Sequence, residues 1–437
     1  MTRLKKFGVA VLGFGTVGAG VVETLQKNGD LLAERLGVRL VLRGVADLDL
    51  TTDRGVTVDP ELLTTDAAAL IERDDVDVVV ELIGGTGVAR QFTLQALKAG
   101  KPVVTANKKL LAEYGEELHR VAEEHQTEIH FEAAVGGGIP IIKSLREGLC
   151  GNRIQSMYGI LNGTCNYILT RMEDENLPFD EVLDAAQKAG YAEAEPSLDI
   201  DGLDTAHKAA VLASLAYGCT VPLEKVQVAG IRGLSAVDIA YAADMGYRIK
   251  LLAILQSGDH GVEVSVQPTL LHHSHQLAAV SGVYNAVLVE GDIVGTTLYY
   301  GRGAGREATA SAVVGDLADT ALNLQAGGRR RDLSLVKEKA PVVFRDPGDI
   351  VSRHYLRVSM RNASGMMARL ATVLGDHEIG IDSIMQKEAP LDAAYVPVII
   401  VTGPASERAM ADALATIAGI DGLIDQAPVM YRIEDFN

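Results

Sequence analysis

One segment constrains the fold more than any other. An apolar run, Phe7 to Leu12, breaks at GFGTVG (Gly13 to Gly18) and continues as a helix-patterned stretch to about Leu36. Strand, glycine turn and helix in that order open a doubly wound α/β sheet, where ligands bind beyond the carboxyl ends of the strands. Gly13 serves the tight turn, Gly15 lets backbone approach a pyrophosphate, and Gly18 lets helix and strand pack closely. Gly13, Phe14, Gly15, Thr16, Val17 and Gly18 therefore read as a dinucleotide cradle. A plain glycine-rich turn is the alternative; the acid that ends the next strand, Asp47 after Leu40 to Ala46, favours the cofactor. Asp47 would accept from the adenine ribose hydroxyls and repel a 2′-phosphate, which favours NAD over NADP, while Arg43 and Arg54 could reverse the preference.

Further strands are expected at Val76 to Ile83, ending in Gly84 and Gly85, and at Pro102 to Thr105, ending in Ala106, Asn107 and Lys108. Asn107 and Lys108 then stand where a nicotinamide would meet its substrate, whereas Lys109 reads as a solvated helix-start lysine. Ile129 to Ala134 is another strand, running into VGGGIP (Val135 to Pro140). Those glycines allow either carbonyls converging on a cation or a sharp crossover.

At 437 residues, 48% apolar and 22% charged, the chain is a globular protein of two or three domains. A net charge of −18 argues against nucleic acid and anionic membranes as partners. No stretch reaches the ~18 apolar residues of a membrane span. The basic N-terminus resembles a secretory signal, but its apolar run is cut by four glycines and leads into a polar helix. Cys150, Cys165 and Cys219, odd in number and without CxxC spacing, suggest a reducing compartment, the cytoplasm.

The stretch GYAEAEPSLDIDGLDTAHK, Gly190 to Lys208, gathers Glu193, Glu195, Asp199, Asp201, Asp204 and Lys208 around an expected helix start. Pro196 and Gly202 are expected to keep 196–202 out of helix, with Asp201 as N-cap. Asp204 and Lys208, four apart, share a helix face. A capped helix with a surface ion pair would explain those three and leave Glu193, Glu195 and Asp199 without a role. A calcium loop fails, because the glycine comes two positions early and Ala210 stands where a bidentate carboxylate is needed. NGTCNYI (Asn162 to Ile168) is either a backbone cradle for a carboxylate at a helix start or a simple cap. YYGRGAGREATA (Tyr299 to Ala310) could close over the cofactor or connect domains. HHSH (His272 to His275) lacks the partners and spacing of a zinc site. Gly327 to Ile350, with Arg329 to Arg331, Lys337 and Lys339, reads as a linker, and His354 onward as a βαββαβ unit.

GFGTVG, TANKK, EAAVGGGIPII, NGTCNYIL, GYAEAEPSLDIDGLDTAHK and GRGAG, in this order, closely resemble the homoserine dehydrogenase family over residues 7–325. The tail resembles an ACT domain, with Asn362 and Ser364 where the family has Asp and Pro. The resemblance implies an α/β fold in four parts. A dinucleotide-binding domain spans 1–132, completed by helix 306–326. A substrate and dimerisation domain spans 133–305, a linker 327–352, and an ACT-like regulatory domain 353–437. It implies reduction of L-aspartate 4-semialdehyde to L-homoserine with NAD or NADP, in a homodimer or homotetramer, with an amino acid such as threonine as effector. It implies catalytic roles for Lys108, Lys208 and Asp204, with Lys108 also at the cofactor. Substrate contacts fall at Gly163, Thr164, Tyr191, Glu193 and Asp199, further cofactor contacts at Gly84, Thr105 and Gly305, and a Na+ or K+ site at Glu132, Val135, Gly137 and Ile139. Two alternatives compete: an acylating semialdehyde dehydrogenase using a Cys165 thiolate, and a non-catalytic nucleotide and amino-acid binding regulator.

Overall fold

The computed structural model describes residues 4–327, 342–388, 390 and 392–436. The basic part of the expected linker, including Arg329 to Arg331, Lys337 and Lys339, lies outside the described residues. Internal packing divides the chain into two units. One comprises Met1–Gly163, Asp204–Val226 and Val283–Val342; the other comprises Thr164–Leu203, Gln227–Gly282 and Val343–Asn437.

The chain opens with β1 (Lys5–Leu12), α1 (Thr16–Leu36), β2 (Val38–Ala46), β3 (Leu63–Thr64), α2 (Ala67–Glu72), β4 (Val78–Glu81), α3 (Val88–Lys98), β5 (Val103–Thr105), α4 (Lys108–Glu124) and β6 (Ile129–His130). These strands form one sheet in the order β3-β2-β1-β4-β5-β6, every pair parallel. This is the doubly wound order expected, and it puts the strand ends of β1, β4 and β5 side by side. Val9, Val11, Val45, Val78, Val80 and Val104 are buried in one core, as a parallel sheet covered on both faces requires. The strand expected over Ile129 to Ala134 stops at His130, because Glu132–Ala134 turns into a short 3₁₀ segment.

The chain continues through α5 (Ile141–Lys143), β7 (Ile154–Ile160), α6 (Gly163–Glu175), α7 (Phe179–Lys188), α8 (Ser197–Ile200), α9 (Leu203–Tyr217), β8 (Gln227–Val228), α10 (Ala236–Asp244), β9 (Tyr247–Gly258), β10 (Gly261–His272), β11 (Tyr284–Gly291), β12 (Gly295–Arg302) and α11 (Arg306–Gln325). In the first unit, β12, β11 and β7 pair antiparallel, and α11 returns to lie on α1. Gly20 makes that approach possible: a Cβ there would stand 2.9 Å from the Arg306 backbone oxygen.

In the second unit, β9 pairs with β10, and the C-terminal strands β13 (Val351–Arg361), β14 (Ile381–Met385), β15 (Tyr395–Thr402), β16 (Ala405–Ser406) and β17 (Val429–Glu434) follow, with helices α12 (Met366–Asp376) and α13 (Glu407–Ala418). β13 lies between β17 and β15, with β14 beyond. Leaving out the two-residue β16, the order is the βαββαβ read from sequence. Leu356, Val358, Leu370, Leu374, Val398 and Ile417 build its core.

The glycine turn is fixed by close packing. A Cβ on Gly18 would stand 2.1 Å from the Gly13 carbonyl oxygen, and one on Gly13, whose φ is +96°, would meet the Leu82 carbonyl at 2.5 Å. Gly18→Ala is therefore expected to cost at least about 2 kcal/mol, since backbone rather than a movable side chain must give way. Urea denaturation measures the loss, and binding of reduced nicotinamide, followed by its fluorescence, should weaken in parallel.

Candidate active site

Three charges meet in the first unit. α4 begins at Lys108 because Asn107 caps it, its Oδ1 accepting from the Leu110 N–H at 3.1 Å. The Asn107 side-chain amide donates to the Gly85 carbonyl at 2.8 Å, and its backbone N–H to the Thr105 hydroxyl at 3.0 Å. Glu81, fully buried at the end of β4, accepts from that hydroxyl at 2.7 Å and from the N–H groups of Ile83 and Gly84 at 2.8 and 3.2 Å. Nothing in the sequence singled Glu81 out, although an acid closing an apolar strand run was visible. Thr105 is thus a brace whose hydroxyl is committed on both sides.

Lys108 Nζ lies 3.0 Å from Asp204 Oδ1, and Lys208 Nζ donates to Asp204 Oδ2 at 2.7 Å. Asn162 Nδ2 donates to the same Oδ2 at 3.0 Å, and Lys208 also donates to the Leu161 carbonyl at 2.7 Å. Asp204 and Lys208 are buried, while the Lys108 side chain is 40% exposed. Burial pushes the Asp204 carboxyl upward, but the charges of Lys208 and then Lys108 outweigh it and hold the group well below the ordinary carboxylate range. The pair read as a helix-surface contact is thus a buried bridge between two lysines.

The glycine loop meets the needs of a pyrophosphate. Gly15 and Thr16 are exposed, α1 has no side-chain N-cap, and a Cβ on Gly15 would touch nothing within 4 Å. Free N–H groups at a helix start with clear space before them suit an anion. Asp47 ties the loop down, its Oδ2 accepting from the Phe14 N–H at 2.5 Å and Oδ1 from the Asp49 N–H at 2.9 Å. Arg54 lies 5.4 Å over the Phe14 ring and pairs with Asp49, whereas Arg43 is drawn to Asp75. Gly84 and Gly305 are exposed at φ of +83° and +117°.

VGGGIP packs tightly within the same unit. Gly136 and Gly137 take φ of +72° and +54°, and a Cβ on Gly137 would strike the Gly303 carbonyl at 2.4 Å. The Glu132 carboxylate accepts from the Ile142 and Lys143 N–H groups at 2.8 and 2.7 Å, and its own N–H donates to Asp316 Oδ2 at 2.8 Å. Burial, then the charge of Asp316, push Glu132 up to about 7. The Ile139 carbonyl accepts from the Ile141 N–H.

The remaining candidates lie in the second unit, apart from Gly163. Thr164 Oγ1 donates to the Tyr191 carbonyl at 2.8 Å, and Tyr191, half exposed, packs against the Tyr167 ring. Glu193 is exposed and its carboxylate takes no hydrogen bond or ion pair from the described residues. Residues 197–200 form a helical turn, contrary to the sequence expectation. Glu195 accounts for it by accepting from the Ser197 N–H at 3.2 Å and from its hydroxyl. Asp201 is not an N-cap: both its oxygens bind Arg232, at 2.6 and 2.9 Å. Cys165 is fully buried and its thiol donates to the Asp199 carbonyl, which removes it as a nucleophile.

Asp204→Asn leaves two lysines facing a neutral amide, and at pH 7 the cost is expected to be about 3 kcal/mol. A carboxyl with a depressed folded-state pKa contributes stability above its unfolded value, about 3.9, and loses it as pH falls through the folded value. The gap between wild type and variant in denaturant midpoints should be full at pH 7 and narrow steadily below about pH 4.

The family models for the NAD binding domain of homoserine dehydrogenase, for homoserine dehydrogenase and for the ACT domain match residues 13–132, 140–318 and 354–419. Homoserine dehydrogenase of Neisseria gonorrhoeae is 41% identical over 437 residues, 99% of this chain and 100% of that protein. The crystal structure of a homoserine dehydrogenase from Thiobacillus denitrificans superposes with a TM-score of 0.94 at 40% identity, covering 100% of both chains. A hyperthermophilic archaeal homoserine dehydrogenase in complex with NADPH superposes at 0.62 with 29% identity, over 72% of this chain and 98% of that one. With two lysines paired through one carboxylate and a glycine turn in the same unit, and relatives matching from end to end, the chain belongs to the homoserine dehydrogenase family, NAD(P)-dependent oxidoreductases that act on a hydroxyl/aldehyde pair.

Proposed function

We propose that Lys208 is the proton donor and Lys108 the alkoxide-stabilising cation in the reduction of L-aspartate 4-semialdehyde to L-homoserine. The observation that carries this reading is a single buried carboxylate, Asp204, gripping both ammonium groups within 3.0 Å. When bound, the nicotinamide supplies the hydride. The aldehyde oxygen that becomes an alkoxide needs a cation beside it and a proton to quench it. Lys208 gives the proton in reduction and recovers it in oxidation. Asp204 orients both lysines and keeps their charges compatible at close range.

Glu193, whose carboxylate has no partner among the described residues, suits the substrate ammonium. The N–H groups of Gly163 and Thr164 at the start of α6 suit its carboxylate, and Tyr191 and Asp199 complete the contacts. Residues 1–132 with helix 306–326 hold the cofactor, 133–305 the substrate, and 353–437 an amino-acid effector such as threonine, joined by 327–352. Asp47 favours NAD(H), because a 2′-phosphate would face its charge. A sodium or potassium ion is proposed at Glu132, Val135, Gly137 and Ile139. In support, Val135 and Gly137 are buried and their carbonyls take no hydrogen bond from the described residues, a state that calls for a partner. The protein works as a homodimer or homotetramer in the cytoplasm. None of its three cysteines is in a disulfide, which suits a reducing compartment, and no described helix is long and apolar enough to cross a membrane.

Lys208→Ala is expected to lower kcat by about 10²- to 10⁴-fold with cofactor binding retained. Initial rates with homoserine and with the semialdehyde, using NAD(H) and NADP(H), with and without threonine, measure this and the cofactor preference together. Near-wild-type turnover at saturating cofactor would end the assignment. Cys165→Ser should retain activity.

A further inference from the structure

We infer that residues 227–238 form a strap by which the C-terminal βαββαβ half of the second unit positions the substrate loop 197–202, with Arg232 and Asp238 as positioning residues. The inference rests on the proposed reading of Asp199 as a substrate contact.

One end of the strap is tied to the C-terminal half directly, the other through β10. At its start, Gln227 and Val228 pair with Ser265 and Val266 of β10. A few residues on, the same edge of β10 pairs in parallel with β17, Thr269 to Leu271 against Arg432 to Glu434. A buried ion pair, Arg432 to Glu263 at 2.6 Å, reinforces that seam. At its other end, Asp238 is fully buried. Its Oδ1 accepts from the Tyr355 hydroxyl at 2.7 Å and from Arg357 Nε at 2.6 Å, and its Oδ2 from Arg357 Nη2 at 3.0 Å. Tyr355 and Arg357 sit on β13, the middle strand of the C-terminal sheet. A buried carboxylate held by a guanidinium fork and a phenol is a stiff joint, because giving up the guanidinium leaves a charge without compensation and giving up the phenol loses a charge-assisted hydrogen bond.

The middle of the strap grips the loop. The Ile231 N–H donates to the Ile200 carbonyl at 2.7 Å. A Cβ on Gly230 would stand 2.0 Å from that same oxygen and 2.4 Å from the Asp201 Cα, so backbone lies directly on backbone. Arg232 closes the contact with two bonds to Asp201 and one to Ser197 Oγ at 2.9 Å. The loop cannot shift without the strap, and the strap is pinned at both ends. Asp199 is inside that loop, and Asp204 follows five residues later in the chain.

The test uses the full-length chain with Tyr355→Phe, Asp238→Asn and Arg232→Gln, read by amide hydrogen exchange and by steady-state kinetics. Tyr355→Phe keeps the packing and serves if Asp238→Asn does not fold. Each folded variant is expected to speed exchange of the 199–202 and Ile231 amides by about tenfold, with β1 amides unchanged. KM for the semialdehyde should rise by about three- to tenfold while kcat stays within about twofold, the mark of lost uniform binding. Unchanged exchange at 199–202 overturns the strap and leaves the reading of Asp199 standing. Faster exchange with an unchanged KM overturns the positioning role, and the reading of Asp199 with it.

Discussion

One carboxylate organises the cluster of charges proposed as the catalytic site. Asp204 is buried and would be costly as a lone charge, yet two lysines and Asn162 repay its desolvation. The lysines gain as much from the arrangement, because two ammonium groups at such range would repel without an anion between them. Much of the nearby first-unit structure serves to bring these groups together. β5 and the Asn107 cap deliver Lys108, and helical spacing delivers Lys208 from the residue it pairs with.

The supporting layer is largely backbone and buried acid. Glu81 holds both the Gly84 turn and the Thr105 hydroxyl, and so fixes the end of β4 against the end of β5. Asp47 pins the glycine loop through the Phe14 N–H. Glu132 caps the start of α5 through two N–H groups, at a site where burial holds its proton to about pH 7. Each is an acid whose partners include backbone donors, which makes it a positioning group in a part of the chain where glycines otherwise leave the backbone free.

The doubly wound class of the sheet, the glycine turn, the C-terminal βαββαβ unit and the Asp204–Lys208 spacing were legible in the sequence, because each follows from a local period or a fixed turn requirement. What the sequence hid depends on contacts far apart in the chain. Asp201 looks like a helix cap until Arg232, 31 residues on, takes both its oxygens. Glu195 had no evident use because the turn whose first residue, Ser197, it binds was expected to be irregular. Glu81 reads as the polar end of a strand, and only its fit between β4 and β5 gives it a task. Cys165 offered a nucleophile on paper, and burial removed it.

Lys108 and Lys208 are proposed to act as one unit through Asp204, and a double-mutant cycle on kcat reads out that coupling. Lys108→Ala, Lys208→Ala and the double variant should be compared at saturating cofactor. If the lysines act together, the double variant should lose little more than the worse single variant, as groups in one catalytic unit do. Losses that multiply, the double variant falling by the product of the two single effects, would instead show two independent lysines.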